Sequence, residues 1–188
     1  MRRLMRWPKM LASTVPACQA YDPAFAYEVA VIVQQGIERM YGGSHPEPDV
    51  FYYVTVMNEN YTHPAMPQRK GIEEEILKGM YLLKAGEKGD KKVQLMGSGV
   101  ILNEVIKGAE LLKNDFGVDA DIWSVPSFNL LHRDAIEVEH TTSPLDWSDR
   151  GMERGAPFAA AHTFFQTGPF RPRNTWGDNV VFVGSGTQ

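Results

Sequence analysis

The sequence predicts an α/β fold, and three observations carry that expectation. A wide apolar stripe at helical spacing runs from Phe25 to Met40, an unbroken β-branched and aromatic run (VFYYVTVM) fills Val50 to Met57, and a strand–turn–helix–strand pattern spans Val93 to Val125. Helical periods alternating with period-free apolar runs are the mark of a mostly parallel sheet covered by helices. The composition agrees: the 188 residues are 43% hydrophobic and 22% charged, close to the globular average, so wholesale disorder is not expected. A chain of this size buries roughly 70% of the surface exposed by its unfolded form, enough for a core. A formal net charge of -4 argues against a generally basic nucleic-acid binder, so no nucleic-acid partner is expected. The single cysteine, Cys18, excludes an internal disulfide framework and an intrachain cysteine cluster for zinc. No run approaches the ~18 apolar residues needed to cross a membrane, so no membrane partner is expected either.

The chain starts basic, with Arg2, Arg3, Arg6 and Lys9 and no acid before Asp22. It lacks the apolar centre of a targeting peptide, and Trp7-Pro8 interrupts any helix there. Asp22-Pro23 reads as a helix start, the aspartate capping free N–H groups and the proline having none to satisfy. Phe25, Val29, Ile32, Val33, Gly36 and Met40 then recur at helical spacing, and Ala26, Ala30, Val31 and Ile37 widen the stripe, so the helix is expected to be covered on most sides. Gly42-Gly43 and the Pro46/Pro48 loop end it. Val50 to Met57 has almost no alternation, the pattern of a strand buried on both faces. Asn58-Glu59-Asn60-Tyr61 and then THPAMP follow at its carboxyl end, where ligands sit in open α/β sheets. Glu59, Asn60 and His63 are therefore the candidate residues for lining a substrate site or an interface. The plainer alternative is that the asparagines form turns and His63 is simply exposed.

Gly71 to Lys78 predicts a helix whose Glu73, Glu74 and Glu75 complement its dipole; consecutive carboxylates point in different directions and do not form a metal site. Met80 to Lys84 reads as a short strand, and the charged GEKGDKK segment, residues 86–92, as a linker at a domain boundary. Beyond it Val93–Met96 is a strand, Gly97-Ser98-Gly99 a tight turn, and Ile101, Val105, Ala109, Leu112 and Phe116 a helical stripe closed by Gly117. Ala120–Val125 completes a unit of the length expected for a right-handed parallel crossover, and a short helix from Asn129 to Glu139 follows Pro126-Ser127-Phe128. The GSG turn lacks the third glycine of a dinucleotide-binding fingerprint, so a nucleotide-binding reading rests on an incomplete motif and glycine needed for geometry is preferred. Residues 140–188 show no sustained period and are expected to be irregular, with NVVFV the one strand candidate.

With these segments in view, the phrases ASTVPAC, AYDPAFAYEVAVIVQQGIERMYG, FYYVTVMNENYTHPAMP, GIEEEILKGMYLL, VQLMGSGVILNEVIKGAELL and DIWSVPSFNLLHRDAIEVE, in this order, closely resemble the homodimeric-type pyruvate dehydrogenase (acetyl-transferring) of the transketolase superfamily. The resemblance covers about residues 11–139 and looks like an internal piece of a longer protein. It implies that residues 11–85 are the end of a thiamine-diphosphate-binding, pyrimidine-type middle domain. Residues 93–139 then look like the start of a transketolase C-terminal-type βαβ domain, while 1–10 and 140–188 match nothing expected; a shifted reading frame or a rearranged gene would produce such ends. The family decarboxylates pyruvate with thiamine diphosphate and Mg²⁺ and reductively acetylates the lipoyl domain of an acyltransferase component. It is a homodimer of the bacterial cytoplasm.

The family holds Mg²⁺ through a GDG…N motif, carboxylate and amide oxygens suiting a hard cation. This chain has no GDG, since Gly89-Asp90 and Gly177-Asp178 lack the following glycine. The glutamate that protonates the cofactor's pyrimidine and the EDGHSH stretch belong upstream of the matching region. The resemblance thus implies no catalytic, cofactor-binding or metal-binding residue here and no activity for this stretch alone. Where the family often has histidine directly after NENY, this chain has Thr62 and then His63, a one-position shift. The rival readings are a non-catalytic interaction or dimerisation module and another superfamily enzyme such as transketolase or deoxyxylulose-phosphate synthase; NENYTHPAMP argues against the second.

Overall fold

A computed structural model describes residues 12, 14–42, 46, 49–58, 60–87, 92–141 and 180–182. The first strand, β1 (Cys18–Tyr21), is a four-residue segment with no local pattern to announce it. It pairs in parallel with β2 (Phe51–Val54), Cys18 opposite Phe51 and Tyr21 opposite Val54, and the helix α1 (Ala26–Tyr41) connects them. This is the parallel β–α–β arrangement that the alternating sequence pattern predicts.

Three expectations about this unit need correction. The helix opens at Ala26 rather than at Asp22-Pro23, with Phe25 in extended conformation as its cap. Asp22 is engaged elsewhere: its N–H donates to the Pro126 carbonyl at 2.6 Å and its carbonyl accepts the Gly99 N–H at 3.0 Å. Nor is the unit covered on most sides. The buried face of α1 is Glu28, Ile32 and Gly36, one residue per turn, while Val33 and Ile37 are 47% and 55% exposed. Likewise β2 is shorter than Val50–Met57 and alternates exposed with half-buried residues instead of being buried on both faces. Among the described residues only β1 flanks it, and α1 covers one face, with Tyr52 packed so closely that a Cβ on Gly36 would sit 3.3 Å from its ring.

The second sheet has the order β3-β5-β4-β6. Its strands are β3 (Tyr81–Lys84), β4 (Lys92–Gly97), β5 (Asp119–Ser124) and β6 (Val180–Phe182); β3 runs antiparallel to β5, whereas β4 is parallel to both β5 and β6. The short helix α2 (Ile72–Lys78) precedes β3, α3 (Ile101–Phe116) is the crossover between β4 and β5, and α4 (Phe128–Thr141) follows β5. The α3 face that reaches the core is Leu102, Val105 and Ala109; the predicted stripe runs one residue off at its start, and Phe116 at its end is 69% exposed. Gly117 closes the helix at φ +62, as its sequence position predicts. The GSG turn is a steric device. A Cβ on Gly97 would lie 2.9 Å from both Leu102 Cα and Val105 Cγ2, and Gly99 takes φ +58.

The hydrophobic clusters join the two sheets. Ala24 and Phe25 lie in one cluster with Leu95, Leu102, Val105 and Ile122, and Tyr21 and Ile32 in another with Ile72, Ile76 and Tyr81. Among the described residues no helix is long and apolar enough to cross a membrane.

Candidate functional site

The loop that follows β2 folds back over the start of α1. At its root Thr55 donates its N–H to the Tyr21 carbonyl at 3.0 Å and its hydroxyl to the Asp22 carboxylate. Three residues then fix the loop. The Tyr61 hydroxyl donates to the Ala24 carbonyl. His63 Nδ1 accepts the Ala26 N–H at 3.0 Å, one of the first-turn amides that have no partner within a helix. The two rings stack with centroids 4.7 Å apart and 21° between planes, and Phe25 meets His63 edge-on at 6.2 Å. Because Nδ1 accepts, the neutral imidazole carries its proton on Nε2.

Of the residues singled out from sequence, His63 is thus placed against the N-terminus of α1 as an exposed residue, and Asn60 is exposed as well. Glu59 lies outside the described residues.

The sequence reading missed Glu28. It sits in the first turn of α1, in the middle of the apolar run AYEVAVI, and is fully buried. One carboxylate oxygen, Oε2, accepts the N–H groups of Ala24 at 2.5 Å and Phe25 at 3.2 Å. The other, Oε1, accepts the hydroxyls of Tyr81 on β3 and Ser124 on β5, each at 2.6 Å. A carboxylate offers about four acceptor positions, and here protein donors take four. Tyr27 extends the line, its hydroxyl 2.5 Å from that of Tyr81. Burial, then the nearby Glu28, pushes the Tyr81 hydroxyl far above the ordinary tyrosine range. Burial likewise pushes Tyr27 up to about 12, against a lowering from its bond to Tyr81. The available signal was an acid three residues after the cap position, the spacing of a capping box.

Two further polar contacts bind β1 to the second half. The Arg133 guanidinium on α4 donates to the carbonyls of Ala12, Val15, Pro16 and Cys18 at 2.7–3.3 Å. The Ser127 hydroxyl donates to the Ala20 carbonyl at 2.6 Å. Burial raises the Cys18 thiol, partly offset by Arg133, so Cys18 reads as a core residue and not as a nucleophile.

Among the described residues, no three His, Cys, Asp or Glu side chains come together to hold a metal ion. Asp22, at the GSG turn, has one oxygen taken by Thr55 and the other by the Ser98 hydroxyl at 3.2 Å.

With this geometry in place, comparison with known proteins is decisive. Residues 6–64 match the family model of the pyruvate dehydrogenase E1 component middle domain, and residues 79–168 that of the transketolase-like C-terminal domain, together reaching past both ends of the stretch 11–139. The pyruvate dehydrogenase E1 component of Pseudomonas aeruginosa is 57% identical over 131 residues, 69% of this chain and 14% of that protein. That of Escherichia coli K12 is 52% identical over 126 residues, 67% of this chain and again 14% of that protein. A transketolase structure from Pichia stipitis is 20% identical with a TM-score of 0.41, covering 59% of this chain and 14% of its own. The chain therefore spans about a seventh of the length of the curated relatives it matches. Identity at this level, in a chain whose matches run from a middle domain into a transketolase-type domain, shows that the chain belongs to the pyruvate dehydrogenase E1 component family.

Proposed function

We propose that this chain carries a non-catalytic portion of the thiamine-diphosphate-dependent component that decarboxylates pyruvate and reductively acetylates a lipoyl domain in the bacterial cytoplasm. Within a homodimer of the whole protein, the loop with Asn60 and His63, together with Glu59, borders the active site or the dimer edge. The observation that carries this reading is the locked loop itself. Tyr61 and His63 are keyed onto Ala24 and Ala26 at the carboxyl end of the parallel β1–β2 pair, the end at which α/β sheets bind ligands.

The residues described do not fit the family's magnesium and diphosphate. A hard cation requires several converging oxygens. Asp22 already accepts two hydroxyls, and Glu28 directs its oxygens at four protein donors instead of at a pyrimidine ring. No catalytic step is therefore assigned to this stretch. The 188-residue chain, supplied with thiamine diphosphate, Mg²⁺, pyruvate and an electron acceptor such as ferricyanide, is expected to release CO₂ no faster than a protein-free blank. Pyruvate-dependent turnover above that blank would overturn the reading.

A second reading, an interaction module, is favoured by one observation. Ala26, Val29, Ala30, Val33 and Ile37 form an apolar stripe on the outer side of α1, and Phe51 and Tyr53 of β2 are exposed as well.

A further inference from the structure

We propose that Glu28 is a positioning residue for the Tyr61–His63 loop, transmitting the placement of the second sheet to the edge of the proposed site. The geometry has two sides. From within, Oε2 of Glu28 holds the N–H groups of Ala24 and Phe25, while Oε1 is held by Tyr81 on β3 and Ser124 on β5. From outside, the next groups on that same three-residue segment receive the loop. The Ala24 carbonyl accepts the Tyr61 hydroxyl, the Phe25 ring meets His63, and the Ala26 N–H donates to His63 Nδ1. One buried carboxylate therefore fixes residues 24–26 against the second sheet, and residues 24–26 fix the loop. The segment has no side-chain cap of its own, since Phe25 offers no acceptor, so Glu28 is what satisfies the amides before the helix.

The chemistry separates Glu28 from a residue that merely fills space. Glutamine in its place retains an oxygen for the Ala24 and Phe25 amides, and its NH₂ can donate to the Tyr81 and Ser124 oxygens, which as hydroxyls also accept. Leucine keeps the bulk and loses every one of these bonds. The significance of the coupling rests on reading the loop as a site edge; the coupling itself does not, and its test does not involve turnover.

The test is ¹⁵N and ¹³C NMR of the His63 ring in the 188-residue chain. The wild-type chain is expected to show one tautomer, unprotonated at Nδ1. Glu28→Leu is expected to move the Nδ1 and Nε2 resonances toward each other as the tautomers mix, with loss of the Tyr61–His63 ring-current shift; Glu28→Gln is expected to restore the wild-type pattern. Leu131→Ala, a cavity in the separate core cluster that Leu131 shares with Met80, Met96 and Val125, serves as the control for general loosening and is expected to leave His63 unchanged. An unchanged His63 in folded Glu28→Leu, failure of glutamine to restore it, or an equal shift in Leu131→Ala would each overturn the proposal. If Glu28→Leu does not fold, the double variant Tyr81→Phe/Ser124→Ala replaces it. Removal of the two donors from the second sheet must then shift His63 in the same direction, and a silent result counts against the proposal. Failure here leaves the family-based reading untouched, whereas CO₂ release by the chain overturns that reading and leaves this coupling standing.

Discussion

Tyr81 donates a hydrogen bond to a buried carboxylate, and the consequences are measurable one residue at a time. Bonds to charged acceptors contribute about 1.5–3 kcal/mol, so Tyr81→Phe is expected to lower unfolding free energy by about that much in a denaturant titration, with little change in its slope. The tyrosines also set an alkaline limit. The hydroxyls of Tyr27 and Tyr81 are harder to ionise in the folded chain than in the unfolded one. Their contribution is complete below the unfolded value of ~10 and is lost as pH rises through and beyond it. Asp121 acts at the acid end. Burial alone would raise its carboxyl, but Lys92, Gln94 and the Gly86 N–H together outweigh that and hold it below the ordinary aspartate range. Its contribution is therefore present above an unfolded value of ~4 and lost as pH falls below it. Thermal melts from pH 7 down to 3 should fall more steeply for the wild type than for Asp121→Asn. Equal slopes would show that the carboxylate contributes nothing.

The elements differ in how far their own sequence announces them, and the difference follows the range of the interactions that make them. The β4–α3–β5 unit was legible because its signals are local: a strand, two glycines, a helical period and a terminal glycine at positive φ. The strand β1 was not, because CQAY owes its conformation to pairing with residues 51–54 and to the Arg133 guanidinium. The start of α1 was misplaced because Asp22 looks like a cap locally yet bonds to Gly99 and Pro126, far along the chain. The role of Glu28 was hidden for the same reason, two of its donors being 53 and 96 residues away. The loop carrying Asn60 and His63 was found by position alone, at the end of an apolar strand; that His63 faces the first turn of α1 required the fold. Glycines give a contrast of sign to test at this scale. Gly79 takes φ +98, and a Cβ there would lie 2.5 Å from the Ser127 carbonyl oxygen, whereas Gly108 lies inside α3 with nothing within 4 Å. Gly79→Ala should destabilise by more than ~1 kcal/mol, and Gly108→Ala should stabilise by about 0.5–1 kcal/mol. Melting temperatures shifting in the same direction for both would contradict this placement.

At the scale of the whole molecule, two clusters of core residues and a set of buried polar bonds join the β1–β2 unit to the four-stranded sheet. Large apolar side chains are left exposed around the β1–β2 unit, with Val33, Ile37, Tyr41, Phe51 and Val56 between 47% and 78% exposed. The apolar stripe on α1 and these exposed side chains favour association, so light scattering of the 188-residue chain is expected to show self-association that grows with concentration; a monodisperse monomer at high concentration would contradict this. The chain belongs to the pyruvate dehydrogenase E1 component family, and the role proposed for its described residues is that of a site edge without the groups that hold the cofactor. Calorimetric titration of thiamine diphosphate into the 188-residue chain, in the presence of Mg²⁺, tests it most directly. No saturable heat is expected, and tight, stoichiometric, Mg²⁺-dependent binding would contradict this reading.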